Sequence, residues 1–381
     1  MERRNFLKVS VVGATAAAFG GASWLSAFSA SAADGDGPYG PLLPADANGV
    51  ALPEGFTSRI VGRSLEKVAG TDYLWHMAPD GGACFADGDG WIYTCNSEVP
   101  LLGGVGAIKF AADGSIVDAY RTLDKTDVNC SGGRTPWNTW LSCEEVDKGE
   151  VYETDPFGAN PAVVRPAMGR FKHEACAVDP DRQVIYLTED VPDGGFYRFT
   201  PTTWPDLSAG TLEILVGPED QTSGAVTWAT VPDPSAEDDD TRDQVEGSKP
   251  FDGGEGCYYA AGTCWFTTKG DNRVWAYDAA NSAISLTYDA DGPLSGVDAV
   301  TGRSNGDLFV AEDGGNMEIC IITPDGVVAP FLRVDGHDGS EITGPAFSPD
   351  GTRLYFSSQR GTGGGTTDPG MTFEVTGPFR G

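Results

Sequence analysis

The sequence predicts an all-β protein, a six-bladed β-propeller with four-stranded antiparallel blades, and three observations predict it. Short runs of Val, Ile, Tyr, Phe and Trp alternate with Asp-Gly, Asn-Gly and Pro-Asp-Gly turns, and helical periodicity is scarce. Six of the runs end alike at steps of roughly 40 to 50 residues, the span of one blade. A two-sheet sandwich would need no such repeat. Many short strands packed radially leave only short, protected edges, which is the physical reason for a propeller.

The blades follow in order. Trp91-Ile92-Tyr93 leads to Glu98, and Ala107-Ile108-Lys109-Phe110 follows as the next strand. Trp140-Leu141 leads to Cys143-Glu144-Glu145 and then Val151-Tyr152-Glu153; Ile185-Tyr186-Leu187 leads to Glu189-Asp190 and then Phe196-Tyr197-Arg198-Phe199. The fourth run, Trp265-Phe266, ends at Lys269 before Val274-Trp275-Ala276-Tyr277. Leu308-Phe309-Val310 ends at Glu312-Asp313 before Ile319-Cys320-Ile321-Ile322, and Leu354-Tyr355-Phe356 ends at Gln359-Arg360 before Met371-Thr372-Phe373. One step is nearly double and holds Glu237-Asp238-Asp239-Asp240 with a Pro-rich stretch, so an acidic insertion is expected near 205–250. The tryptophans, Trp137 and Trp140 included, are expected in blade cores.

The N-terminus, Arg3-Arg4-Asn5-Phe6-Leu7-Lys8, an Ala/Gly/Val stretch and Ala30-Ser31-Ala32, resembles a twin-arginine (Tat) signal with its cleavage site. Ser, Thr and Gly interrupt the apolar run, making it a poor membrane span. The expected division is therefore 1–32 signal and 33–381 a single propeller domain, exported by the Tat translocase to the periplasm or beyond. Tat carries folded protein, which suits a chain that loads a cofactor first. Lys+Arg 25 against Asp+Glu 56 gives a net charge of -31, which excludes nucleic acid as a partner. A monomer is expected. Of the eight cysteines none forms a CxxC pair, which disfavours a zinc ribbon or thioredoxin-like motif; Cys257 and Cys264 flank a turn at Ala261-Gly262 and are placed to bridge.

In a propeller equivalent strand ends face one another around the axis, so the repeated polar endings converge. Carboxylates gathered there suit hard cations such as calcium, and a thiolate, Cys143 beside Glu144 and Glu145, favours a transition metal. A disulfide half, with Cys130 as partner, is the alternative for Cys143. His173 is expected to orient a neighbour, and His76 and His337 to be structural.

Five segments taken together carry a resemblance: Thr135-Pro136-Trp137-Asn138-Thr139-Trp140-Leu141-Ser142-Cys143-Glu144-Glu145, Gly169-Arg170-Phe171-Lys172-His173-Glu174-Ala175, Tyr186-Leu187-Thr188-Glu189-Asp190, Gly254-Glu255-Gly256, and the stretch from Glu341 to Gly351. In this order they resemble the PhoX family of Tat-exported alkaline phosphatases and its short relatives, from about Trp137 to Gln359. The resemblance implies an iron pair and several calcium ions in the channel, and hydrolysis of a small-molecule phosphoester. It implies Cys143 as iron-ligating thiolate and Glu255 as iron-ligating carboxylate. Glu144, Glu145, Glu174, Glu189, Asp190, Glu312, Asp313 and Glu341 fall where further metal-binding or supporting carboxylates are expected.

Two departures matter. Family phosphatases carry Arg-Pro-Glu where this chain has Gly253-Gly254-Glu255, so the arginine that clamps phosphate is missing there. The family's Gln-His-Pro-Gly is here Gln359-Arg360-Gly361. Lys269 and Arg360 are the candidates to restore the lost positive charge. Two rival functions remain open: a lactonase of the gluconolactonase kind with one divalent metal, suggested by the run from Gly306 to Asp313, and a calcium-stabilised propeller without catalysis.

Overall fold

The second strand of each blade carries an apolar run, as in Trp91-Ile92-Tyr93 or Ile185-Tyr186-Leu187, because packing covers both of its faces. Burial follows: Trp140–Glu144, Val184–Glu189 and Leu308–Glu312 are buried throughout, whereas the outer strand Ile116–Thr126 alternates toward solvent. The computed structural model describes residues 33–34 and 37–381; the expected signal at 1–32 lies outside them.

Six sheets, antiparallel apart from the short strand Ala33–Asp34 beside Val327–Val334, form six blades. Blade 1 runs Pro79–Asp87, Gly90–Ser97, Gly103–Phe110 and Ile116–Thr126; blade 2 runs Asn129–Arg134, Trp140–Glu144, Val151–Thr154 and Val163–Val164. Blade 3 begins with His173–Asp179, Val184–Glu189, Phe196–Thr203 and Asp206–Val216, and blade 4 with Gly254–Ala260, Thr263–Thr268, Arg273–Asp278 and Ala283–Asp289. Blade 5 contains Val297–Gly302, Leu308–Glu312, Glu318–Ile322 and Val327–Val334. Blade 6 is completed from the other end of the chain: Ile342–Phe347, Arg353–Ser358 and Met371–Thr376 pair onward to Thr57–Arg63. Arg59 reaches Glu374 at 2.7 Å across that seam, and Arg353, also at 2.7 Å, and Tyr355 donate to the same buried carboxylate from the neighbouring strand.

The expected insertion begins later than 205, since Asp206–Val216 is the fourth strand of blade 3. Thr227–Thr230 then adds a fifth strand to blade 3 and Gly224–Ala225 pairs with the outer strand of blade 4, so the insertion bridges two blades.

Each interface between neighbouring blades has its own apolar cluster. Leu141, Val151, Phe171 and Ile185 fill that between blades 2 and 3; Phe309, Ile321, Leu354 and Phe373 fill that between blades 5 and 6. A fully buried side chain of this size contributes about 1.5–3 kcal/mol. Trp140 packs on Phe85 and Val105 of blade 1, in blade core as expected, and Trp137 lies partly buried against Trp204. Strand parity decides who faces whom: Trp140 and Ser142 turn toward Asn96 of blade 1, while Leu141 and Cys143 turn toward blade 3.

Candidate metal centre

The register of the two innermost strands is the same in every blade. The last residue of the second strand pairs with the inner strand at Pro79↔Ser97, Asn129↔Glu144, His173↔Glu189, Gly254↔Thr268, Val297↔Glu312 and Ile342↔Ser358. In five blades a bulge interrupts the ladder just beyond that pair, and in blade 6 one pair later, after Thr343↔Ser357; a bulge bends the strand and re-aims a side chain. The residues next after that pair on the inner strand are Asp80, Cys130, Glu174, Glu255 and Asp298, all in the bulge, and Thr343, which still pairs with Ser357. The residues just past the end of the second strand form a second set: Glu98, Glu145, Asp190, Lys269, Asp313 and Gln359.

These two sets meet around the axis. Ligand atoms within 4.8 Å of one another group as Asp80–Glu98–Cys130, Cys130–Glu145–Glu174, Glu174–Glu255–Asp298 and Asp298–Asp313–Glu341. Shared members link them into one arc from blade 1 to blade 6. Gln359 closes it by donating to Asp80 Oδ2 at 2.6 Å and to Glu98.

Small residues follow the bulge, and they let the backbones converge. A Cβ on Gly81 would meet Ser131 Cα at 2.5 Å, one on Gly256 would meet Ala299 Cα at 2.8 Å, and one on Gly344 would meet Asp80 O at 2.5 Å. Polar side chains fasten neighbouring blades at the same level. Asn96 donates to Cys130 O and Ser131 O, Thr188 to Glu255 O, Thr267 to Asp298 O, and Thr343 to Pro79 O. The inner-strand residues of the site are therefore held by rigid elements rather than loops.

Three cations enter the ring. Lys172 Nζ lies 2.8 Å from Glu145 and 2.9 Å from Asp190; Lys269 Nζ lies 2.6 Å from Glu255, 3.5 Å from Asp313 and 4.0 Å from Asp298. Arg360 reaches Glu341 at 2.8 Å. They do not neutralise the cluster. Burial, then mutual repulsion, pushes Asp80, Glu174, Glu255 and Glu341 well above the usual carboxylate range, and Glu98 and Asp298 to about 7. Burial and the neighbouring carboxylates likewise raise the Cys130 thiol. Asp190 is the exception: burial would raise it, but Lys172 and Lys269 hold it below its ordinary value.

The predicted residues Glu145, Glu174, Asp190, Glu255, Lys269, Asp313, Glu341 and Arg360 are all brought to this ring. Four others are not. Cys143 is buried in the apolar cluster between blades 2 and 3, beside Cys176, because an odd step along its strand turns it toward blade 3. Glu144 accepts the N–H groups of Asp127 and Glu150, and Glu312 those of Ser295 and Glu318, so each ties down the turns of its own blade. Glu189 accepts from Gly195 N–H, Tyr197 OH and Arg242 in the same role. In each doublet the first acid ends the strand and the second enters the channel. The thiol that does stand among the carboxylates is Cys130, its Sγ 3.1 Å from Glu174 Oε1 and 3.6 Å from Asp80 Oδ1. His173, neutral through burial with a pKa lowered to about 4, bonds Gly169 O.

Sequence reasoning missed Asp80, Cys130 and Asp298, and did not count Glu98 or Lys172. A signal existed: an acid or thiol followed at once by a small residue opens the inner strand of five blades, in Asp80-Gly81, Cys130-Ser131, Glu174-Ala175, Glu255-Gly256 and Asp298-Ala299.

The donor set suits metal. Glu174 Oε2 is buried without a hydrogen-bond partner, and it belongs to the residue shared by two of the groups. Oxygen-only groups fit calcium, and the groups holding Cys130 fit a softer ion.

The sequence profile described as alkaline phosphatase PhoX matches residues 93–154 and 147–285. No curated protein matches the chain. Among solved structures, Pseudomonas fluorescens PhoX in complex with vanadate, a transition state analogue, aligns with a TM-score of 0.71 at 18% identity, over 88% of this chain and 97% of that one. A protein of unknown function from Bacteroides thetaiotaomicron aligns at 0.53 and 9% identity, over 88% of this chain and 83% of that one. A putative gluconolactonase aligns at 0.50 and 12%, over 90% and 99%. At these identities the structural likeness establishes the shared fold.

Proposed function

Because the chain belongs to the PhoX family of alkaline phosphatases, we propose that it is a metal-dependent hydrolase of small-molecule phosphoesters. The observation that carries this reading is the Cys130 thiol set among buried carboxylates, with an unpartnered oxygen on Glu174. Cys130 with Glu145 and Glu174 would hold iron, and the oxygen-only carboxylates around Asp298 would hold calcium. When bound, such ions supply Lewis-acid stabilisation of the negative charge that develops on a transferring phosphoryl group.

The chain's own residues bind and orient the substrate. The family's arginine position is Gly253, with φ at +70° and Asp190 Oδ1 only 3.1 Å from a Cβ built there, so an L side chain is strained at this point. Lys269 stands beside it: its N–H donates to Gly253 O at 2.8 Å and its Cβ lies 3.8 Å from the same Cβ position. Its half-buried ammonium offers a point charge to phosphate in place of a bidentate fork. Arg360 offers a second charge across the ring. The missing fork also supports a second reading, a calcium-stabilised propeller that binds without catalysis. Export through the Tat translocase, with metal loaded beforehand, belongs to the same proposal.

The test is hydrolysis of p-nitrophenyl phosphate and its bis ester by protein loaded with calcium and iron, before and after chelation. Turnover that is lost with the metals and returns with them is expected. Loaded protein that turns over neither ester leaves the binding reading in place.

A further inference from the structure

We propose that Lys269 is a tethered cation that holds the place of a divalent ion, so that the side of the channel formed by blades 4 and 5 loads one ion fewer than its carboxylates would otherwise accept. The inference rests on the reading that the channel binds divalent metal.

Past the end of the second strand, blades 1, 2, 3 and 5 carry Glu98, Glu145, Asp190 and Asp313, and blade 6 carries the neutral Gln359. Blade 4 alone puts a cation there. Lys269 Nζ touches Glu255 at 2.6 Å and stands 3.5 Å from Asp313 and 4.0 Å from Asp298. Asp298 is the carboxylate common to the two oxygen-only groups, Glu174–Glu255–Asp298 and Asp298–Asp313–Glu341. The ammonium therefore sits against members of both.

An ammonium has three donors and no acceptor, so three surrounding carboxylates suit it as they would suit a small cation. An incoming divalent ion must share Asp298 or Glu255 with a positive charge a few ångströms away, and like charges at about 4 Å repel strongly in a partly dry site. Displacement is hindered because the start of the side chain is fixed, with Lys269 N–H on Gly253 O and Asn272 N–H on Lys269 O. The opposite side of the ring is different. Asp80 and Glu98 share the uncharged amide of Gln359, so the group Asp80–Glu98–Cys130 has no cation fixed on it and is open to an ion.

The experiment measures metal per chain by elemental analysis after equilibration with excess calcium and ferrous ion and removal of the free ions. Wild type is compared with Lys269→Gln, Lys269→Arg and Lys269→Glu, and each is melted with and without chelator. We expect Lys269→Gln to carry one more divalent ion than wild type, Lys269→Arg to match wild type, and the melting temperature of Lys269→Glu to depend more steeply on calcium than that of wild type. Equal, non-zero metal content in wild type and Lys269→Gln overturns the inference and leaves the metal reading standing. Should Lys269→Gln fail to fold, a calcium-insensitive melt of Lys269→Glu overturns it. Wild type that binds no divalent ion overturns the metal reading itself.

Discussion

The channel and the interface between blades 2 and 3 each hold a thiol from the same blade, and the two could hardly differ more. Cys130 sits at a bulge, 3.1 Å from Glu174 and 3.6 Å from Asp80. Cys143 lies among Leu141, Val151, Phe171 and Cys176. The Trp-Leu-Ser-Cys-Glu-Glu motif invites a reader to place its thiol and both acids in one site, and the structure divides them by strand parity and by the end of the strand. Residue type names a candidate ligand; the direction of its Cβ decides whether it is one.

The sharpest way to break that contrast is to change each thiol to serine. Cys130→Ser is expected to lose the transition metal while the protein remains folded, with a fall in hydrolysis of at least the roughly 10–100-fold that loss of an outer-sphere partner costs. Cys143→Ser is expected to keep its metal content. Elemental analysis of the two variants side by side decides between the sulfurs, and loss of iron from Cys143→Ser alone would reverse the assignment.

Chelation tests the channel as a whole. Ions bound only by the folded state at about one hundred times their dissociation constant add ~2.7 kcal/mol per site, so the metal-free protein should melt measurably lower. Its stability should also depend on pH in a direction set by the raised carboxylates. Glu98 and Asp298 titrate at about 7 in the folded chain, whereas unfolded Glu and Asp titrate at about 4. The folded state therefore binds protons more tightly than the unfolded state. That contribution is complete below about pH 4 and is lost as pH rises to about 7, with a slope of up to ~1.4 kcal/mol per pH unit for each group. Added calcium should flatten the slope, since the ion favours the ionised carboxylates. A metal-free melting temperature that rises across the same window would count against the cluster.

Cys143→Ser then gauges the interface. A hydroxyl without a partner among apolar side chains costs about 1–3 kcal/mol, read as a lower urea midpoint at unchanged slope. The smallest effect expected is at the family's arginine position. Gly253→Arg should cost about 1 kcal/mol in backbone strain and leave hydrolysis no higher, because the substituted residue would sit at φ +70° against Asp190. A gain in activity would mean that the strand end relaxes to receive the fork.

Much of this was legible in the sequence. Repeated strand endings gave the blades, and Glu145, Glu174, Asp190, Glu255, Asp313 and Glu341 reached the channel as expected. What misled was adjacency: Glu144, Glu189 and Glu312 stand beside channel residues, yet backbone N–H groups of their own turns hold them. What hid Asp80, Cys130 and Asp298 was the bulge, a feature of pairing between two strands that neither strand announces alone. The closing strand Thr57–Arg63 was equally hard to see, because its partner lies at the opposite end of the chain.

That seam bears on the order of events in the cell. Arg59 and Glu374 meet across 315 residues of sequence, so blade 6 cannot close until nearly the whole chain has been synthesised. A chain made from its N-terminus must keep Thr57–Arg63 unpaired while five blades form behind it. Glu341, Thr343 and Gln359 come from that last blade, and Gln359 is what joins Asp80 to the far end of the arc. The ring of carboxylates is thus a late product of folding, complete only when both ends of the polypeptide have met, and an ion arriving earlier would find only part of a cage.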